Sequence, residues 1–171
     1  MTTTSILADA FEHHLWANEQ ILGVCAALTE EQLTTPVPGT YGPIIDTLRH
    51  IVQADSFYLW VASGQARAPI SAKNTLSIGE LRAANEEHAA AYRGLLAGDL
   101  DPDEDVIEHG DGWDYSAKQG IRLAQIVHHG SDHRSQVATG LTALGIQPPD
   151  IDLWAYGATV GRTRETQGAS T

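Results

Sequence analysis

Two histidines in the last third of the chain have the spacing of metal ligands. His129 and His133 lie in the run His-His-Gly-Ser-Asp-His-Arg-Ser-Gln at 128–136. Residues four apart on a helix lie one turn above each other on the same face, so both imidazoles can reach a single ion. Such pairs also arise by chance, and the pair alone does not decide between a metal site and two surface histidines.

A third histidine, His50, lies on the apolar side of a predicted helix, between Leu48 and Ile51. An imidazole without a partner would be costly to bury there. Helical bundles build metal sites from side chains that project inward from facing helices. The sequence therefore predicts a site formed by His50, His129 and His133. Three neutral imidazoles would leave one or more positions on the ion open to water or substrate, as in catalytic sites.

Other side chains could compete with these ligands or support them. His128 lies about 100° around the helix from His129 and should point elsewhere, but it is the main alternative ligand. Gln125 and Asp46 lie one turn before His129 and His50, where each could hydrogen-bond a ligand ring or simply face solvent. The remaining histidines are interpreted as surface or core residues, with His14 as a further candidate for the cavity wall: His13, His14, His88 and His109.

The sequence does not fix the identity of the ion, because imidazole suits several first-row metals. We expect zinc or nickel, with iron, manganese or copper as alternatives. The chain has no Glu-x-x-His pair, which disfavours a carboxylate-rich di-iron bundle, and no His-Glu-x-x-His of a metalloprotease. A phosphate-binding glycine loop and a nucleophile with an adjacent base are absent too.

The elements that must position these residues follow from the hydrophobic spacing. Apolar residues recur at helical intervals in four long segments, separated by loops and, before the last segment, by a predicted hairpin with Gly110-Asp111-Gly112 at its turn. Ser77 with Glu80 predicts a capping box, and Gly145 a C-cap. We therefore expect an all-α four-helix bundle. Its helices cover about Thr4–Leu28, Pro43–Ser63, Ile78–Ala97 and Ala117–Leu144, with a short tail helix at Asp152–Tyr156.

Length and composition predict one globular domain. The chain has 171 residues, of which 42% are hydrophobic and 19% charged. We expect a single bundle domain over residues 1–160 and a flexible tail over 161–171. The formal net charge of -12 argues against nucleic-acid binding, which depends on lysines and arginines.

Cysteine content and hydropathy predict the compartment. Cys25 is the only cysteine, which excludes an internal disulfide framework and favours a reducing cytoplasm. The N-terminal residues lack the pattern of a signal peptide, and no apolar run reaches membrane-spanning length. We expect a cytoplasmic protein with no membrane partner.

Several segments resemble the DinB/YfiT-like family. The resemblance spans nearly the whole chain, and its specific part lies in the second and fourth predicted helices. The segments similar to the first helix are Trp16–Asn18 with Ile21–Leu22; to the second, Leu48–Ile51 followed by Asp55 and Tyr58–Trp60; and to the final helix and tail, His129–Gln136, Leu141–Gly145 and Pro148–Asp152.

The resemblance implies a four-helix bundle in which a divalent metal is held by three histidines, here His50, His129 and His133. It also implies a homodimer. Members with assigned activities are mostly thiol-dependent transferases and isomerases that use bacterial low-molecular-weight thiols, and others are described as metal-dependent hydrolases. The mycothiol-dependent branch tends to place a glutamate where this chain has His129, which disfavours assignment to that branch.

The leading hypothesis is a metal-dependent enzyme that activates a coordinated thiolate or water for attack on a small electrophilic substrate. A low-molecular-weight-thiol S-transferase, with that thiol as cosubstrate, follows the resemblance. The alternatives are a metal-dependent hydrolase and a non-catalytic metal-binding stress-response protein. A metal-free bundle with clustered histidines is the remaining interpretation.

Overall fold

Four long helices, a two-stranded hairpin and two short helices make up the described part of the chain. The computed structural model describes residues 6–64 and 68–165. The elements are α1 Ile6–Cys25, α2 Glu30–Thr34, α3 Ile44–Ala62, α4 Ile78–Leu96, β1 Asp105–Gly110, β2 Trp113–Lys118, α5 Gln119–Ala143 and α6 Leu153–Thr159. The predicted helical bundle, with a hairpin before its last long helix, is confirmed.

Two helices begin at capping boxes. The Glu80 N–H donates to Ser77 Oγ at 3.3 Å and the Ser77 N–H donates to the Glu80 carboxylate at 2.8 Å, as predicted for the start of α4. Thr29 and Gln32 make the same exchange at the start of α2. The prediction missed α2, because a helix of 5 residues is too short to show a hydrophobic period.

Glycines occupy the two sharpest turns around α5. Gly112, in the hairpin turn, has φ 78°, and Gly145, just after α5, has φ 73°. Both values lie in the left-handed region that glycine adopts without steric cost. Beyond Gly145 the chain turns back, and the Ile146 N–H donates to the Leu141 carbonyl at 2.9 Å. The predicted hairpin turn and C-cap are therefore confirmed.

Helices α3 and α5 run antiparallel and in close contact. At one end Gln119 Nε2 donates to the Ala62 carbonyl at 3.3 Å, so the start of α5 lies beside the end of α3. At the other end Gly140 lies against Ile44, whose Cγ1 would be only 2.9 Å from a Cβ at position 140. This alignment places the middle of α5 opposite the first half of α3.

The apolar core forms two clusters on the inner sides of the long helices. One surrounds Leu48 and Ile51 of α3, and the other lies between α1, α4 and the first half of α5. No helix within the described ranges combines the length and apolar character needed to cross a bilayer. The buried members of the second cluster are Phe11, Leu15, Ala89, Tyr92, Leu123 and Ile126.

The extent of the domain and of the tail stays a prediction. The described chain continues past residue 160, where Arg162 pairs with the carboxylate of Asp9 in α1. Residues 166–171, the rest of the predicted flexible tail, lie outside the described residues.

Replacing Ile126 by Ala should lower the free energy of unfolding by about 2–5 kcal/mol, because it removes buried methylene groups and leaves a cavity. Ile126 is 0% exposed, whereas Ile121 on the same helix is 66% exposed. Ile121→Ala is the matched control and should change the free energy by less than about 0.5 kcal/mol. Urea unfolding followed by circular dichroism measures both, and equal losses would contradict the assigned core.

Candidate metal centre

The three predicted ligands come together in the groove between α3 and α5. One ring nitrogen from each of His50, His129 and His133 lies within 4.8 Å of the others, and all three residues are half-buried. The Nε2 atoms of His50 and His129 are 3.0 Å apart. Within the described ranges, no other three His, Cys, Asp or Glu residues converge in this way.

Helix geometry and hydrogen bonding set the direction of the His133 ring. His133 lies one turn after His129 on α5, so both rings face α3. Its Nδ1 is 3.2 Å from Gln136 Oε1. An amide oxygen only accepts, so Nδ1 carries the proton and Nε2 presents its lone pair. Ligating histidines commonly donate their second N–H in this way.

Tyr41 covers the site from the loop before α3. Its ring stacks on His50 with centroids 4.2 Å apart and an interplanar angle of 13°, and it meets the His133 ring edge-on at 5.3 Å. Its backbone N–H donates to Gln136 Oε1 at 2.8 Å, so one amide holds both the loop and His133. The sequence predicts only a loop at Tyr41, because nothing in the local sequence indicates which surface that loop covers.

A second tyrosine forms the opposite wall. Tyr58, two turns after His50 on α3, contacts the edge of the His129 ring at 5.5 Å. Its hydroxyl accepts a weak hydrogen bond from Gln125 Nε2 at 3.5 Å. The histidines therefore lie between two phenol rings, which give the groove apolar walls with polar tips.

Burial and the neighbouring histidines lower the pKa of two of the imidazoles, those of His129 and His50. Burial, followed by the nearby His133 and His50, lowers the pKa of His129 from 6.5 to about 4. Burial and then His133 also lower the pKa of His50. Neutral imidazole is the form that binds a metal, so these two ligands need not lose a proton at neutral pH.

The donor set fits a first-row divalent ion. Imidazole nitrogens lie about 2.0–2.1 Å from zinc, so two nitrogens on one tetrahedral ion are roughly 3.3–3.4 Å apart. The separation of 3.0 Å between the Nε2 atoms of His50 and His129 is already close to this spacing. The remaining nitrogens, within 4.8 Å of one another, need only a small side-chain rotation to close around an ion.

The alternative ligand and the two predicted supporting residues lie elsewhere. His128 is 77% exposed and its Nδ1 is 3.4 Å from the Asp132 carboxylate, away from the groove. Asp46 pairs with Arg49 at 3.1 Å, and Gln125 reaches Tyr58 and not a histidine. The sequence predicted hydrogen-bond partners in the turn before His129 and His50. The observed partner, the amide of Gln136, lies in the turn after His133.

A cluster of buried polar side chains lies behind the site. Its charged members are Asp55 of α3 and Arg134 of α5, and His14 of α1 lies between them. Arg134 braces α5 against α1 through its hydrogen bonds to His14 and Asn18. His14 is a core residue and not part of the groove wall. This buried polar cluster comprises His14, Asn18, Asp55, Asn85 and Arg134, each no more than 4% exposed.

Gly130 allows α5 to approach this cluster. A Cβ at position 130 would overlap the His14 ring and lie 2.7 Å from Arg134 Nη1. Only a residue without a side chain fits between the helix backbone and the ring. The glycine in the His-Gly-Ser-Asp-His run is therefore part of the architecture that positions His129.

Gly130→Ala should lower the free energy of unfolding by about 1–3 kcal/mol, because the added methyl group overpacks a rigid interior. Gly23→Ala in α1 is the matched control, since a Cβ there meets nothing within 4 Å. That variant should gain up to about 1 kcal/mol from helix propensity. Chemical denaturation compares the two, and a stable Gly130→Ala protein would contradict the close approach.

The metal-free protein should lose stability as the pH falls below neutral. Between the ordinary pKa of 6.5 and the folded value of about 4 for His129, the unfolded chain binds more protons at this position, so acid favours unfolding. His129→Gln removes this contribution and should show a smaller fall in Tm between about pH 7 and pH 4.5. Thermal melts across that range test this, and parallel curves for the two proteins would contradict it.

Comparison with known proteins agrees with this architecture. The model of the DinB family matches residues 1–165. The chain is also similar to a DinB-like protein from Bacillus cereus ATCC 10987 of known crystal structure, with 17% sequence identity, a TM-score of 0.66, and coverage of 84% of this chain and 93% of that chain. At that identity the likeness concerns the fold alone. No curated protein matches the chain. Because the family match covers almost the whole sequence, the chain belongs to the DinB family.

Proposed function

We propose that this protein binds one divalent metal ion through His50, His129 and His133 and uses it in catalysis. The observation that carries the proposal is the convergence of three imidazoles, one nitrogen from each within 4.8 Å of the others. The group includes no carboxylate or cysteine. Three protein ligands leave a position open for a reacting molecule, which separates such a site from a closed structural one. We favour zinc or nickel, which accept an all-imidazole set.

The reaction we propose is transfer of a low-molecular-weight thiol to a small electrophile. Bound at this site, an ion would lower the pKa of a thiol that reaches its open position. The protein itself offers no competing thiol, since its one cysteine, Cys25, is buried and burial raises the pKa of that thiol to about 12. The reacting thiol must therefore come from a cosubstrate.

The groove suits this transfer better than hydrolysis. A hydrolase commonly needs a general base beside the attacking water, and the converging group holds no carboxylate. Transfer of a thiol already ionised at the site needs no such base. In this reaction Tyr41 and Tyr58 would form the walls that exclude water and receive the apolar part of the electrophile.

The setting of this activity is also part of the proposal. A chain whose one cysteine is buried and reduced suits a reducing cytoplasm, where low-molecular-weight thiols accumulate. A homodimer, implied by the family resemblance, remains a proposal too. Trp113 and Tyr115 of the hairpin are exposed aromatic side chains that a partner subunit would cover.

His129→Ala should abolish the uptake of metal, because it leaves two ligands on different helices. His128→Ala is the matched control: it changes the neighbouring histidine on the same helix, which is 77% exposed and outside the groove. Metal-free protein incubated with zinc or nickel, desalted and subjected to elemental analysis should hold about one ion per chain in the wild type and in His128→Ala. Unchanged metal content in His129→Ala would overturn the site.

Turnover is tested with the metal-loaded wild-type protein. A panel of low-molecular-weight thiols is offered with an activated aryl halide, so that a carbon–sulfur bond forms while the carbon–halogen bond breaks and the thiol proton goes to solvent. The proposal expects conjugation that is lost in His129→Ala and retained in His128→Ala. Ester hydrolysis without a thiol would favour a hydrolase. No turnover in either assay would favour a non-catalytic metal-binding protein.

A further inference from the structure

The buried polar cluster behind the histidines has a defined direction of hydrogen bonding. Arg134 Nη1 lies 3.0 Å from His14 Nδ1, and a guanidinium only donates, so Nδ1 of His14 is an acceptor. The proton of His14 must then be on Nε2, which lies 2.9 Å from Asp55 Oδ2. Asn18 Nδ2 donates to the same oxygen at 3.1 Å. His14 is therefore neutral, between a cationic arginine and an anionic carboxylate.

Only one oxygen of Asp55 is used in this arrangement. Oδ1 is fully buried and accepts no hydrogen bond from any residue in the described ranges. A second orphan lies on the facing helix: His129 Nδ1 is likewise buried and without a partner among the described residues. Asp55 Oδ1 is an acceptor and His129 Nδ1 can carry a proton, so the two atoms have complementary roles in a hydrogen bond.

The helix segments that carry the two orphan atoms meet at the His14 ring. Gly130, which follows His129, packs directly on the His14 ring that Asp55 holds. The charge of Asp55 also reaches the site, where it opposes the fall in pKa of both His129 and His50. Asp55 is thus a buried carboxylate whose charge acts on both His129 and His50.

We propose that Asp55 is a positioning residue for His129: one water accepts the Nδ1–H of His129 and donates to the free Oδ1 of Asp55, and this bridge holds Nε2 toward the groove. In the metal-free protein His50 then supplies the proton of the contact of 3.0 Å between the two Nε2 atoms. Gln136 orients the other α5 ligand, because its Oε1 accepts the Nδ1–H of His133. Each α5 ligand has its own supporting acceptor, and this role for Asp55 adds to the proposed metal site on which it rests.

Asp55→Asn gives a sharp test, because the amide has one acceptor and two donors. Its oxygen must accept from His14 and Asn18, which turns its NH₂ group toward His129. The amide would then donate to the bridging water, which would donate to Nδ1 and move the proton of His129 to Nε2. Long-range ¹H–¹⁵N NMR of the metal-free proteins should show His129 protonated at Nδ1 in the wild type and at Nε2 in the variant.

The same change should weaken zinc binding about 10–100-fold, the usual effect of losing the partner of a ligand. Asn85→Ala is the matched control. Asn85 belongs to the cluster, but its hydrogen bonds go to Asn18 and the Leu15 carbonyl, away from His129. It should lose stability yet keep the His129 tautomer and the zinc affinity within about twofold. Competition titrations with a chromophoric chelator measure the affinities.

Three results would overturn the inference. One is a wild-type His129 protonated at Nε2, which needs no variant to fold. The second is an unchanged tautomer in Asp55→Asn, and the third is an equal loss of zinc affinity in Asn85→Ala. Failure of the proposed function looks different, because a wild-type protein that takes up no metal would still show the tautomer set by Asp55.

Discussion

Charge buried between three helices constrains this bundle more than any other feature. Arg134 and Asp55 are nearly inaccessible to water, and a buried charge is tolerated only when it is paired and hydrogen-bonded. Burial lowers the pKa of Arg134 to about 10, which still leaves it charged at neutral pH. His14 joins the two groups, so α1, α3 and α5 can move apart only by leaving a charge without its partner.

This constraint gives α5 two distinct faces. Gly130 and Arg134 face inward to the cluster, while His129 and His133, each one residue earlier, face the groove toward α3. A rotation of the helix that moved the histidines would also bring a clash at Gly130 and unpair Arg134. The polar interior therefore fixes the ligands from behind, while Gln136 and Tyr41 hold them from the front.

Local signals in the sequence were enough for much of the fold and for the pairing of His129 with His133 on one helix face, whereas His50 depended on its apolar setting and the family resemblance. The capping box at Ser77, the turn at Gly112 and the spacing of His129 and His133 are short-range patterns. The links between His14, Asp55 and Arg134 join residues 41 and 120 positions apart. No period or motif encodes such distances. The position of Tyr41 over His50 likewise depends on the path of a loop, which local sequence does not determine.

The packed core and the buried polar cluster indicate whether a metal ion at the three histidines would be structural. The core clusters are packed, and Arg134 and Asp55 are both hydrogen-bonded to His14, without an ion; the lowered pKa of His129 keeps it uncharged near neutral pH. A zinc finger, in contrast, has no sufficient core and folds only when the ion binds. A bundle whose core is already packed gains little architecture from an ion between α3 and α5. This agrees with the proposed function, in which an ion held by the three imidazoles would bind a reacting molecule at its open position.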